Sequence, residues 1–372
     1  MHRISRNIHN FNRKIKNVHN FLKKLCGRKN KMETKRVVVN PDGTFTSAYD
    51  EAVQLLKAGE VVAFPTETVY GLGGVATSDA AVAKIYEAKG RPSDNPLIVH
   101  IGTIEEIDRY VIDVNDKAKK CMDAFWPGPL TVICKVKPNV LSEKVTAGLD
   151  TVGLRMPSHP VSLQLLRHLG EPVAAPSANR SGKPSPTEGI HVEEDLAARI
   201  PMIVDGGATG IGVESTVIDC TLDIPTILRP GGVTKEMLEA VIGEVHQPTH
   251  LEQKEGAPKA PGMKYTHYAP NAPVYMIEKD EEKIQSAIQA LHKENKKVAL
   301  LAPENYACEQ ADYFFSFGQD TQEEMALHLY HALRACDATD ADIVLATATT
   351  TDGVGSAIMN RLEKSAGGNW YK

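Results

Sequence analysis

From Val37 to Lys364 two patterns take turns along the chain, and they cannot share a segment. Apolar runs of three to seven residues, as at 61–65, 97–101, 130–136 and 298–302, are too short for buried helices and end on Gly, Pro or polar clusters. Between them lie segments with apolar residues spaced by three and four, as at 47–57, 78–89 and 280–295, with Ser47 and Ser78 placed to cap their helices. Strands alternating with helices in this order predict an α/β protein built on an open, twisted mixed sheet. The glycines Gly71, Gly73 and Gly74 read as a tight turn joining strand 61–65 to helix 78–89.

The same alternation divides the chain. With 372 residues, 42% of them apolar, there is more than one core to bury. Strand and helix signals run from 33 to 245 and resume at 273–372, predicting a large first domain and a smaller Rossmann-like α/β domain of about a hundred residues. Residues 246–272, HQPTHLEQKEGAPKAPGMKYTHYAPNA, have the Pro, Gly, Gln and Lys content of a linker.

Residues 1–32 hold ten Lys/Arg and no Asp or Glu, leaving 32 basic against 47 acidic residues in the rest. Ile4, Ile8, Phe11, Ile15, Val18 and Leu22 would make a basic amphipathic stripe there, suited to an anionic surface or a transit peptide. The plainer reading gives this extension no role, since strand-like sequence begins just after Met32. The body is acidic, which argues against nucleic acid as the partner of the whole surface. No run of eighteen apolar residues exists, so no membrane-spanning helix is expected. Six cysteines lack any C-x-x-C pair, which fits a reducing, cytoplasmic location better than a disulfide framework or a zinc site.

The chemistry gathers around residues 64–100. Lys89 and Arg91 flank Gly90 ahead of Pro92, Arg229 follows a strand and precedes Pro230-Gly231-Gly232, and Ser177 and Asn179 sit in another loop after a strand. Arginine's planar fork, lysine's point charge and directional hydroxyl and amide groups suit a polyphosphate. Singly, each reads as a solvated surface residue; together at strand ends they outline a nucleotide site. No complete P-loop or dinucleotide fingerprint is present, no H-E-x-x-H and no G-x-S-x-G, so no metal ligands are assigned. His100 stands out among the histidines because it closes a strand near the basic loop.

At this point longer runs become informative. Pro65-Thr-Glu-Thr-Val-Tyr-Gly-Leu-Gly73, Lys89-x-Arg91, Gly153-Leu-Arg-Met-Pro157, Ala174-Ala-Pro-Ser-Ala-Asn179, Ser215-Thr-Val-Ile-Asp219 and Leu228-Arg-Pro-Gly231 closely resemble the YrdC-like threonylcarbamoyl-AMP synthases. Pro261-Gly-Met-Lys-Tyr-Thr-His-Tyr-Ala-Pro270 and the domain beyond resemble the long, two-domain form.

The resemblance implies a nucleotidyltransferase that makes threonylcarbamoyl-adenylate from L-threonine, bicarbonate and ATP, with Mg2+, and hands it to the tRNA threonylcarbamoyl transferase machinery. It implies a threonine pocket at Thr68, His100, Arg155, Ala175 and Ser215. ATP contacts would fall at Arg91, Asn95, Thr151, Ser177, Ser185 and Arg229, with Lys89 and Asn179 completing the catalytic signature and Tyr265 reaching back from the linker. Two other readings stand beside it. One is an RNA-binding module, in which Lys89, Arg91 and Arg229 meet tRNA phosphates and the binding is weak and salt-sensitive. The other is carbamoyl transfer of the hydrogenase-maturation type, whose acylphosphatase-like and zinc-finger portions have no counterpart here.

Overall fold

The computed structural model describes residues 32–44, 46–248 and 268–372. The extension 1–32 and most of the linker, including Tyr265, lie outside the described residues but for Met32, the linker's first residues and its end. Residues 34–372 form one compact unit. Within it, two sheets carry the strands.

The larger sheet takes the strands β1 (Lys35–Val38), β2 (Val62–Phe64), β3 (Gly71–Val75), β4 (Ile98–His100), β5 (Val111–Ile112), β6 (Leu130–Val136), β7 (Thr151–Arg155), β8 (Val173–Ala174), β9 (Met202–Asp205), β10 (Thr216–Asp219) and β11 (Thr226–Arg229). Its order is β1-β9-β2-β3-β8-β4-β7-β6-β10-β11, with β5 paired to β6, and parallel and antiparallel neighbours mix. The smaller sheet, β12 (Val274–Ile277), β13 (Val298–Ala302), β14 (Tyr313–Ser316) and β15 (Ile343–Thr347), is parallel throughout in the order β12-β15-β13-β14. This is the mixed sheet with an appended smaller α/β sheet that the alternating patterns predict.

Register decides what the large sheet can present. His100 ends β4 directly opposite Arg155, the end of the parallel strand β7. Because β6 runs antiparallel to β7 while β10 runs parallel to β6, the start of β10 comes to the same rim, and Arg229 at the end of β11 pairs with Val217 there. One rim thus collects side chains from four strands that are remote in sequence.

The glycine run departs from expectation. Gly71-Leu-Gly-Gly-Val75 is the strand β3, antiparallel to β2, rather than a turn. A Cβ on Gly73 would sit 2.5 Å from the Phe64 ring and 2.7 Å from Val173, so the glycine lets two large side chains fold across the sheet.

Helix Asp79–Lys89 shows how local sequence serves the site. Ser78 accepts a hydrogen bond from the Ala81 N–H at 3.3 Å, and Gly90 ends the helix in the left-handed region at φ 61°. Ala81, Val82, Ile85 and Tyr86 bury one face and carry Lys89, the last helical residue, inward with them. A further apolar cluster joins Val69 and Val213 of the first lobe to Phe317, Met325, Leu329 and Tyr330 of the second.

Candidate active site

Lys89, Arg91, Ser177, Asn179, Thr68, His100, Arg155, Ala175, Ser215 and Arg229 line a single cleft at that rim. Lys89 is buried, and its ammonium donates to the Ser177 carbonyl at 2.5 Å, the Asn179 carbonyl at 2.7 Å and Asn179 Oδ1 at 3.3 Å. Burial, with Arg91 nearby, pushes its pKa well below the usual lysine value. Lys89 therefore anchors the Ser177–Asn179 loop, while Ser177 Oγ donates to Asn179 Oδ1 at 2.6 Å. Arg91, half-buried at the cleft edge, donates to the Asn95 carbonyl at 3.4 Å.

Across the cleft, the buried Arg155 guanidinium is held on three sides. Nε donates to the Gly128 carbonyl at 3.2 Å, Nη1 to Thr68 Oγ1 at 3.1 Å and Nη2 to Glu67 Oε1 at 2.6 Å. Thr66 and Thr68 share a hydroxyl contact of 2.8 Å, fixing Thr68 in turn. Beside them, His100 is buried, and burial together with Arg155 lowers its pKa to about 3, so its ring is neutral at ordinary pH. His100 Nδ1 and the nearby Asn95 Oδ1 are buried without a hydrogen-bond partner. Buried polar atoms of this kind are rare in native proteins, and of these two residues His100 lines the cleft.

The third wall starts from Ser215, whose hydroxyl lies 2.8 Å from Thr131 Oγ1. Arg229 donates through Nε and Nη2 to the Ser215 carbonyl at 3.1 and 2.9 Å, and through Nη2 to Ser215 Oγ at 3.1 Å. Glu214 lines the same cleft, and so does Tyr268 at the end of the linker.

Three expected contacts lie apart from this lining. Thr151 begins β7, four residues from Arg155, and pairs with Lys135. Ser185 is fully buried behind the wall and donates to Glu214 Oε1 at 2.6 Å. Asn95 sits next to the cleft, where its carbonyl accepts from Tyr86 and Arg91. Conversely, Glu67, Glu214 and Tyr268 belong to the site although only their neighbours stood out in the sequence. All three lie inside or beside the motif runs, at Pro65-Thr-Glu-Thr, before Ser215-Thr-Val, and in Lys264-Tyr-Thr-His-Tyr268. Carboxylates look misplaced in an anion site until their arginine partners are seen.

Among the described residues, the donor set does not fit a magnesium ion held by the protein. Of the carboxylates at the cleft, Glu67 is paired with Arg155 and Glu214 with Arg361. Elsewhere, Glu188, His191 and His331 lie close enough to suggest a metal. However, His191 Nδ1 accepts the Thr187 N–H at 3.3 Å, which leaves the proton on Nε2, so the three do not offer three lone pairs to one ion.

Two family models match the chain: the Sua5/YciO/YrdC family described as "Telomere recombination" over residues 54–231, and the C-terminal domain of threonylcarbamoyl-AMP synthase over 233–367. The threonylcarbamoyl-AMP synthase of Bacillus subtilis is 53% identical over 91% of this chain and 99% of its own length. That of Pyrococcus abyssi is 47% identical over 85% and 93%. The crystal structure of P. abyssi Sua5 complexed with L-threonine superposes with a TM-score of 0.85 at 44% identity, covering 91% of this chain and 99% of that one. The fold is that of a YrdC-like nucleotidyltransferase carrying a second α/β domain. The chain belongs to the threonylcarbamoyl-AMP synthase family, in its two-domain form.

Proposed function

We propose that this cleft is where the chain joins L-threonine, bicarbonate and ATP into threonylcarbamoyl-AMP, releasing pyrophosphate and water, for threonylcarbamoyladenosine formation in tRNA. The observation that supports this placement is the convergence of Lys89 and Arg91, Arg155, and Arg229, from three separate segments, beside neutral and hydroxyl groups on one rim. Arg155 uses three of its five N–H groups on protein and keeps two for the carboxylate of threonine. His100 Nδ1 and the Thr68 and Ser215 hydroxyls face the rest of the amino acid.

The amine of threonine adds to the bicarbonate carbon, and loss of water leaves a carbamate. A carbamate oxygen then attacks the α-phosphorus of ATP, and pyrophosphate departs with the bond to the β-phosphate oxygen. Such a step needs alignment and neutralisation of charge rather than a covalent nucleophile. Arg91 and Arg229 supply positive charge to the phosphates, and Lys89 holds Ser177 and Asn179 in place to meet them. Magnesium arrives on the triphosphate as part of the substrate; among the described residues the cleft's carboxylates, Glu67 and Glu214, are both paired with arginines. The linker's described end reaches the cleft at Tyr268. The product passes to the transferase that modifies tRNA, and the work is cytoplasmic. Among the described residues no helix is long and apolar enough to cross a membrane.

The test is pyrophosphate release by the purified chain with each of threonine, bicarbonate and ATP omitted in turn. Release that requires all three is expected; release indifferent to threonine overturns the reading.

A further inference from the structure

Glu214 is a carboxylate in the wall of a cleft proposed to hold a triphosphate, which is the wrong charge for that place. It is buried, 6% exposed, and reaches none of the cleft's cations through a direct ion pair. Besides the Ser185 hydroxyl, its partners come from the second lobe. Arg361, fully buried on helix Gly355–Ser365, donates from Nε to Glu214 Oε2 at 3.0 Å, with Nη2 also 3.0 Å from that oxygen but off the line of a hydrogen bond. Tyr330, on helix Gln322–Ala335, donates its hydroxyl to the same carboxylate, 2.9 and 2.8 Å from the two oxygens. Arg361 Nη1 also donates to the Pro230 carbonyl at 2.6 Å, immediately after Arg229.

The same two helices hold the linker's end. The Tyr268 ring lies 5.3 Å from the Tyr330 ring, and Ser365 Oγ donates to the Tyr268 carbonyl at 3.0 Å. Glu214 is bonded through the chain to Ser215, and Ser215 is the residue on which Arg229 rests. A shift of Glu214 would therefore move both the hydroxyl and the guanidinium of that wall.

We propose that Arg361 and Tyr330 are positioning residues for the synthase reaction: from the second lobe they fix Glu214 and cancel its charge, so that the cleft accepts the nucleotide only with that lobe in place. The inference rests on the reading of the cleft given above. The electrostatics agree with the geometry. Burial alone would raise the Glu214 carboxyl, yet Arg361 and Arg229 overcome it and hold the group at about 2, an anion at every working pH. Without Arg361 that anion would face the phosphates across a poorly solvated wall, where repulsion between like charges is weakly screened. Arg229 would also be drawn toward Glu214 and away from the nucleotide. The second lobe thereby supplies part of the cleft's charge balance without touching the substrate.

The full-length chain is compared with Arg361→Met, Arg361→Lys, Tyr330→Phe, Glu214→Gln and the double variant Arg361→Met/Glu214→Gln. Two quantities are read: the Kd for ATP by equilibrium titration with a fluorescent ATP analogue, and the KM values for ATP and threonine from pyrophosphate release. Arg361→Met is expected to weaken ATP by about tenfold or more, as expected for a buried charge left unpaired, with the threonine KM changed less. Glu214→Gln in that background should recover most of the loss in ATP affinity, Arg361→Lys should lie between, and Tyr330→Phe should weaken ATP by a few-fold while keeping the fold. Melting curves show which variants are folded.

Wild-type ATP affinity in folded Arg361→Met overturns the inference, as does a double variant no better than Arg361→Met alone. If Arg361→Met does not fold, the Tyr330→Phe and Arg361→Lys affinities decide, and wild-type values in both overturn it. Because the ATP Kd needs no turnover, a wild-type chain that binds ATP but releases no pyrophosphate in a threonine-dependent way counts against the proposed reaction. A chain that does not bind ATP counts against both.

Discussion

Arg155 is the residue proposed to meet the carboxylate of threonine. Glu67, Thr68 and the Gly128 carbonyl fix its guanidinium plane and engage three of its five N–H groups, leaving two for that proposed contact. Lysine carries the charge but cannot make the fork. Arg155→Lys should raise the KM for threonine by about 10- to 100-fold, the worth of a charge-assisted hydrogen bond or two, while the KM for ATP stays within about threefold. Equal rises in both would remove Arg155 from the amino-acid pocket. His100 gives a prediction about pH. Its pKa falls from 6.5 unfolded to about 3 folded, so the unfolded chain binds the extra proton between those values. The contribution to stability is present above pH 6.5 and drains away as pH falls toward 3. His100→Gln should therefore flatten the decline of the unfolding free energy between pH 6.5 and 4, by an amount on the order of a few kcal/mol at the acid end, read from denaturant titrations. An unchanged slope would mean that the ring is solvated. Lys89, Arg91 and Arg229 were legible in the sequence because each stands beside Gly or Pro where a helix or a strand ends, whereas Arg155 came only with the resemblance. Glu67 and Glu214 were not, since their meaning depends on arginines 88 and 147 residues away in the chain.

Among the elements, periodicity located strands and helices to within a residue or two, as with Ser47–Lys57, Leu130–Val136, Glu281–Lys293 and Val298–Ala302. It failed where glycine acts through what it omits. Gly71-Leu-Gly-Gly reads as a turn, yet β3 uses its glycines to admit the Phe64 and Val173 side chains, a packing fact invisible to local pattern. Gly231 makes the same point nearer the site. A Cβ there would lie 2.3 Å from both the Glu214 carbonyl and the Thr216 nitrogen, which are backbone atoms that cannot swing aside. Gly231→Ala should force β10 and β11 apart where Ser215 and Arg229 meet. The expected result is a loss of about 2–3 kcal/mol in stability, by overpacking, and a drop in pyrophosphate release larger than the unfolded fraction explains. Melting and turnover are measured on the same sample; full activity with an unchanged Tm would show that the strands can separate without disturbing the site.

At the scale of the whole molecule, the question is whether the two sheets behave as separate bodies joined by a linker, which composition alone suggests, or as one. The described contacts favour one. Val69 and Val213 share an apolar cluster with Phe317, Leu329 and Tyr330, and Gly212 at φ 83° lies so close to helix Gln322–Ala335 that a Cβ would be 2.2 Å from the Ala326 carbonyl. Arg334, on that helix, donates to Asp195 at 2.7 Å and to the Pro184 carbonyl at 2.6 Å, with both members of the ion pair about nine-tenths buried. Removing one member of such a pair leaves the other charge buried and unpaired, at a cost of about 3 kcal/mol. The chain should therefore unfold in one calorimetric transition, and Arg334→Ala should lower its Tm by several degrees or split the transition as the smaller sheet loses its purchase on the larger. Asp195→Ala should cost a similar amount, and the double variant less than the sum. Two resolved transitions in the unaltered chain would show that the lobes unfold independently. In that case Arg361 could leave Glu214 without melting the first lobe, and the second lobe could set the cleft's charge by docking and undocking.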